Sequence, residues 1–188
     1  MEVLDLYCGL GGWSKGFAQE GFDPTGVDIV DVGYPYKFIL QDAREFDGKL
    51  YRGIDVIVGS PPCRDFSDMI HCFGHRWKDP PNPIRGKELI DAFLRIVDQA
   101  QPRYWLLENV IGAIPYISIK PKMVVNIGRA RYRAFWGEFP LFLVLRDPLA
   151  KRIEWDFNSP NKSWKRAEIP LGTSQSLAKS IKLIERHN

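Results

Sequence analysis

The sequence is poor in cysteine and histidine, with three of each among 188 residues. It has no apolar run approaching the ~18–20 residues that a membrane-spanning helix needs. Cys8, Cys63 and Cys72 are odd in number, which argues against a disulfide framework and for a reducing compartment. No charged-then-apolar leader stands at the start, where the chain enters a strand-like run directly, so a soluble, cytoplasmic protein with no membrane association is expected. Internal repeats and low-complexity tracts are absent. The formal net charge is only +3, too small by itself to identify an acidic partner. Its distribution says more: Arg129, Arg131, Arg133, Arg146, Lys151, Arg152, Lys162, Lys165 and Arg166 crowd the second half, a pattern compatible with a polyanion or with an ordinary solvated face. With 45% hydrophobic residues, a chain of this length is expected to form one domain, 1–188, around a substantial core.

What is present is an alternation. The apolar run 3–7 ends in CGLGG, and 14–20 reads as a helix stopped by Gly21. Segments 24–29, 37–43 and 55–59 read as strands, the first two ending in carboxylates and the third running into SPPC. Residues 87–101 carry Leu89, Ile90, Phe93, Leu94, Val97 and Ala100 at helical spacing, closed by Pro102. YWLLENV (104–110) is a buried strand; 130–137 and 140–145 add strand-like material with an antiparallel pair at one edge, and 174–187 is a closing helix. DPPNP (79–83) and the region around Pro160 read as loops. Strands alternating with helices predict an α/β, Rossmann-like fold, a mostly parallel sheet with helices on both faces and ligands at the carboxyl ends of the strands.

The chemistry-bearing residues fall at those ends. Glycines 9, 11 and 12 let backbone approach a ligand and tighten the passage from strand to helix. A dinucleotide fingerprint wants glycine three positions beyond Gly11; Ser14 stands there, which disfavours an oxidoreductase. Asp28 is placed for a ribose hydroxyl pair and Asp42 for an exocyclic amine. Together they suggest an adenosine-bearing cofactor, although each alone also suits an ordinary strand-end role. Cys8 reads as a small buried hydrophobe. Cys63 reads as a nucleophile, leaving a buried strand through the rigid Pro61–Pro62 turn with Arg64 adjacent to favour thiolate. Glu108, at the end of the neighbouring strand, supplies an acid or base, and Asn109 is placed to orient it. HCFGH offers His71, Cys72 and His75, but a structural zinc wants four ligands, and taking Cys63 as the fourth would consume the nucleophile, so no metal is expected.

DLYCGLGG, GSPPCRDFS, LLENV and RARYR, in that order, closely resemble motifs I, IV, VI and VIII of the DNA cytosine-5 methyltransferases, and LGTSQSLAKSI (171–181) resembles their closing motif. The resemblance implies a Rossmann-like methyltransferase domain that uses S-adenosylmethionine to methylate carbon 5 of cytosine in double-stranded DNA, through a covalent cysteine adduct and base flipping, in a prokaryotic or viral setting. It implies that Tyr7, Gly9, Leu10 and Gly12 line the cofactor pocket, with Asp28 and Ile29 at the ribose, Asp42 and Ala43 at the adenine, and Pro62 and Ser174 nearby. It implies catalytic roles for Cys63 as nucleophile, Glu108 at the ring nitrogen and exocyclic amine, Arg133 at the ring carbonyl and Arg131 in support. Residues 64–86 are then the candidate catalytic loop.

Three positions depart from the family pattern: Arg64 and Arg129 replace glutamines, and Thr173 replaces an asparagine. Length departs further. Only 138–170 is available for target recognition, a small basic-aromatic stretch with Trp155, Trp164, Lys162, Lys165 and Arg166 that predicts short or relaxed sequence specificity, or a protein partner that supplies recognition. An RNA cytosine-5 methyltransferase and a catalytically silent nucleic-acid-binding subunit are the alternatives; retention of Cys63, Glu108 and Arg133 counts against the second.

Overall fold

Val3, Leu4 and Leu6 leave the first strand no water-facing side, and β1 (Glu2–Leu6) accordingly lies inside a sheet, paired in parallel with β2 (Asp23–Asp28) and β4 (Val56–Gly59). In this computed structural model, which describes residues 1–66, 79–126, 132–144 and 168–187, β3 (Lys37–Leu40) extends the sheet beyond β2 and β5 (Tyr104–Val110) beyond β4. At the far side β7 (Tyr132–Glu138) runs antiparallel to β5, and β6 (Met123–Asn126) antiparallel to β7, giving seven strands in the order β3-β2-β1-β4-β5-β7-β6. The predicted mostly parallel α/β sheet with an antiparallel edge is what the chain forms. The edge pair has different members from those expected: 140–144 is not a strand, and the partner of β7 is the short β6, which its flanking lysines and its length had hidden.

Helices cover both faces. α1 (Gly12–Gln19) and α3 (Leu171–Glu185) lie on one, where Trp13, Phe17, Leu177, Ala178 and Ile181 meet Val58, Leu106 and Phe135. α2 (Pro83–Ala100) lies on the other, where Ile90, Phe93 and Ile96 meet Leu4, Leu6, Ile57 and Trp136. Because strand side chains alternate, neighbouring residues such as Leu106 and Leu107 feed opposite cores.

α2 begins four residues before the predicted start at 87. Asn82 caps it by accepting from the Ile84 amide at 3.0 Å, and Pro83 occupies the first helical position, where its missing N–H costs nothing. The asparagine-proline pair that reads as a loop is here a helix start. The predicted loop 64–86 is therefore bounded by structure at both ends, with a 3₁₀ turn at Arg64–Phe66 and helix from Pro83. α3 begins three residues before the predicted 174 and ends at Glu185.

α1 and α3 pack closely because α1 presents glycine. A methyl group on Gly16 would stand 2.6 Å from the Gln175 amide nitrogen, and one on Gly12 would stand 2.6 Å from that of Ile169. Lys15 adds an ion pair to Glu168 at 2.5 Å. Among the described residues, no helix is long and apolar enough to cross a membrane.

Candidate active site

The glycine turn follows β1 with Tyr7, Gly9 and Gly11 all at positive φ (60°, 49° and 79°). For Tyr7 this region is unfavourable, and it marks a turn that the surroundings hold in place. The Tyr7 hydroxyl donates to the Leu89 carbonyl of α2 at 2.7 Å, so it is the backbone of Tyr7 that is left to shape the turn. Asp28, at the end of β2, accepts from the Gly9 amide at 3.0 Å and the Ile29 amide at 2.8 Å, tying the turn to the adjacent strand end. Burial outweighs these bonds and raises the Asp28 carboxyl.

Beyond β3, Asp42 is bonded by the Arg44 guanidinium at 2.6 Å, which holds its carboxyl below the usual range. Ala43 is buried, and its carbonyl accepts from Arg95 at 2.9 Å. Ile29 is exposed beside Asp28, whereas Leu10 is half-buried. Ser174 is fully buried, and its hydroxyl donates to the Trp13 carbonyl. It braces α1 from behind, its proton committed there.

A residue not singled out from the sequence underlies the turn. Asp5, between Leu4 and Leu6 in β1, is buried and accepts from the Ser14 hydroxyl at 2.6 Å and the Ser14 amide at 3.3 Å; the same hydroxyl meets the Tyr34 hydroxyl at 2.5 Å. Ser14 thus replaces the bare glycine of a dinucleotide turn with a bond to the sheet. A carboxylate inside an apolar strand was the available signal. Burial pushes the Asp5 carboxyl up to about 7 from an ordinary 3.8. The native state then binds this proton more tightly than the unfolded chain, and stability falls as pH rises from about 4 through 7. Asp5→Asn is expected to remove that dependence. Urea unfolding of both proteins at pH 5 and pH 8 should show their stability difference changing by roughly 2.5 kcal/mol; an unchanged difference would refute the assignment.

β4 delivers the cysteine. Gly59 is needed at its end because a methyl there would stand 2.8 Å from both the Leu6 carbonyl oxygen and the Phe93 ring. Ser60, Pro61, Pro62 and Cys63 follow, with Cys63 half-buried and Pro62 exposed. The Asn109 amide donates to the Pro61 carbonyl at 3.1 Å. The residue expected to orient Glu108 instead fixes the proline turn that carries Cys63.

Arg64 also differs from expectation. Its guanidinium goes to Asp79 at 2.5 Å, and Arg85 forks onto both Asp65 (2.6 Å) and Asp79 (2.9 Å). Arg64 therefore pins the flanks of the loop rather than the thiolate. Burial raises the Cys63 thiol and Glu108 raises it further, while Arg133 opposes both.

The β5–β7 register explains how Glu108 and Arg133 meet. Val110 pairs with Arg133, and Glu108 lies two residues earlier on the same face, so the diagonal pair closes with Arg133 Nε 2.7 Å from Glu108 Oε1. Glu108 is only 6% exposed. Burial raises its carboxyl, against the opposing pull of Arg133 and of a hydrogen bond from Ser60. A carboxyl held toward its neutral form beside a fixed cation, next to a thiol, is equipped to hold a proton on a heteroaromatic ring while sulfur attacks it.

Arg131, His71, Cys72, His75 and most of 138–170 lie outside the described residues. The expected cofactor fits the remainder. The glycine turn offers close backbone approach, β2 ends in a carboxylate and Asp42 follows β3, and Thr173 at the start of α3 brings Oγ1, the one buried side-chain oxygen or nitrogen without a hydrogen-bond partner among the described residues.

Comparison with known proteins places this arrangement. Residues 1–115 match the family described as C-5 cytosine-specific DNA methylase. The chain is 32% identical over 141 residues to Type II methyltransferase M1.HphI of Haemophilus parahaemolyticus, covering 67% of this chain and 37% of that protein. It is 33% identical over 143 residues to Type II methyltransferase M.AplI of Arthrospira platensis, covering 71% and 38%. A solved structure of an E. coli prophage-encoded protein, described as a DNA modification methyltransferase, superposes with a TM-score of 0.51 at 25% identity, covering 73% of this chain and 46% of that one. The chain thus spans little more than a third of the length of these two curated relatives. With 115 of its 188 residues matched, the chain belongs to the C-5 cytosine-specific DNA methylase family.

Proposed function

We propose that the protein transfers a methyl group from S-adenosylmethionine to carbon 5 of cytosine in double-stranded DNA. One observation carries the reading: β4, β5 and β7 deliver Cys63, Glu108 and Arg133 to one place, with Arg133 2.7 Å from Glu108, beside a glycine turn backed by Asp28. Tyr7, Gly9, Leu10 and Gly12 would hold the cofactor on the turn, Asp28 and Ile29 its ribose, and Asp42 and Ala43 its adenine, with Pro62 at the mouth. When bound, it supplies an electrophilic methyl group on a sulfonium.

Carbon 5 of cytosine is too weakly nucleophilic to take that methyl unaided. Cys63 Sγ, as thiolate, forms a bond to carbon 6, and Glu108 gives its proton to the ring nitrogen, so the electron pair collects at carbon 5. Arg133 holds the ring carbonyl oxygen and the ionised Glu108. After methylation, loss of the carbon 5 proton to solvent expels the Cys63 thiolate, and the ring nitrogen returns its proton to Glu108, which restores the neutral aromatic ring. These atoms are unreachable in a stacked duplex, so the base is turned out of the helix at a cost of a few kcal/mol, offset by contacts in the pocket. Within this chain, the basic-aromatic stretch 138–170 is proposed to contribute to contacts with the target.

Incubation with methyl-labelled S-adenosylmethionine and unmodified duplex DNA, in competition with RNA, tests the reading. Label recovered as 5-methylcytosine from the DNA is the expected result. Label confined to RNA moves the substrate, and cofactor binding without transfer to either makes the protein a silent subunit.

A further inference from the structure

The proposed chemistry uses Glu108 but leaves unexplained a chain of polar groups running from it, through the half-buried Ser60, to the helix beneath the glycine turn. Trp13, in the first turn of α1, is 2% exposed, and its ring packs edge-on against Phe135 with centroids 6.4 Å apart. Its indole Nε1 donates to Ser60 Oγ at 3.0 Å. Ser60 in turn lies beside the Glu108 carboxyl, whose charged form it favours. The contact follows from register: β4 and β5 are parallel with Gly59 opposite Leu107, so the next residues, Ser60 and Glu108, emerge side by side.

Indole nitrogen is a donor only. Once it has donated to Ser60 Oγ, the Ser60 hydroxyl proton is directed onward, and the chain has one polarity: indole to hydroxyl to carboxyl. Arg133 Nε forms an ion pair with Glu108 Oε1 at 2.7 Å from the neighbouring strand. The carboxyl thus has Arg133 of β7 on one side and Ser60, after β4, on the other. The Trp13 backbone carbonyl accepts from Ser174 Oγ of α3, so the backbone that carries the indole is tied to both helices on that face.

We propose that Ser60, aimed by Trp13, is a positioning residue for Glu108: it fixes the carboxyl rotamer and links the proton-handling group to the helix that supports the cofactor turn. This rests on the role given to Glu108 above. The charged and titratable groups that face Glu108 among the described residues are Arg133 from β7 and Cys63 from the turn after β4; Lys15 of α1 is engaged by Glu168. With a donor taken away, the ionised carboxyl loses stabilisation, so the Glu108 midpoint moves upward.

The test reads that midpoint without requiring turnover. Protein carrying glutamate labelled with carbon-13 at the carboxyl is titrated by NMR, with the Glu108 signal assigned by its loss in Glu108→Gln. Ser60→Ala is expected to raise the midpoint by about 0.5–1 pH unit and Ser60→Thr to restore it. Trp13→Phe, which keeps an aromatic ring in place but removes the N–H, is expected to shift it in the same direction by less. In methyl transfer, Ser60→Ala should lower kcat about tenfold with KM for DNA unchanged and move the alkaline limb of the rate profile upward. A Glu108 midpoint within about 0.1 pH unit of wild type in Ser60→Ala overturns the proposal. If Ser60→Ala does not fold, the same criterion applied to Trp13→Phe decides. A protein that shows the midpoint shift yet methylates nothing retracts the function and leaves the positioning contact standing.

Discussion

Cys63→Ala is expected to lose methyl transfer by roughly four orders of magnitude or more, about 5.5 kcal/mol of barrier, while unfolding as a normal cooperative protein and binding S-adenosylmethionine as before. The reason is that no other group at the site supplies an electron pair at carbon 6. Glu108 and Arg133 polarise a ring; they do not make carbon 5 nucleophilic without the sulfur. The side chain lost is small and half-buried at the sheet edge, so the fold gives up little. The measurement is label incorporation into duplex DNA beside equilibrium binding of the cofactor. Transfer retained within tenfold of wild type would remove Cys63 from the mechanism.

Glu108→Gln separates two effects that one side chain exerts. The carboxylate raises the Cys63 thiol by its charge, second to burial itself, and in the proposed mechanism the carboxyl supplies the ring proton. Glutamine keeps the shape beside Arg133 but has neither charge nor transferable proton. Wherever the carboxyl of the parent protein carries its charge, Cys63 of the variant should react faster with iodoacetamide, because a repelling charge has gone. Methyl transfer should nonetheless fall by about 10²–10⁴-fold, the range typical of a lost general acid. Measuring alkylation against a Cys63→Ala control subtracts the other two thiols. A variant that methylates at the parent rate would assign the proton to another donor; slower alkylation would reverse the sign given to the charge.

The parts of this molecule that were legible in the sequence are those whose causes are local. Apolar runs such as 104–110 announce buried strands, and residues immediately after them must lie at the sheet's carboxyl edge, so Asp28, Cys63 and Glu108 were locatable without coordinates. Parts set by distant partners were not. Arg64 stands next to Cys63 in sequence, yet Asp79, 15 residues away, takes its guanidinium. Asn109 adjoins Glu108 but serves Pro61, 48 residues away. Trp13 and Ser60 are 47 residues apart and meet only because β1 and β4 are neighbours in the sheet. Asp5 and Asn82–Pro83 are different cases. Their signals were local, but a carboxylate in a strand and a proline after asparagine each have two readings, and only the groups they contact decide between them.

The glycine-lined seam between α1 and α3 has a consequence for the protein's synthesis. Ser174 and Trp13, which meet across it, are 161 positions apart. At 5–20 residues per second, roughly ten to thirty seconds separate the moment the ribosome makes one from the moment it makes the other. For that interval Trp13 and Phe17, both almost fully buried in the finished protein, have no α3 to cover them, and the nascent chain presents an apolar surface to chaperones. The support beneath the glycine turn is made long after the turn itself, and a chain interrupted before it carries the nucleophile and its acid without the brace that holds the cofactor end of the site.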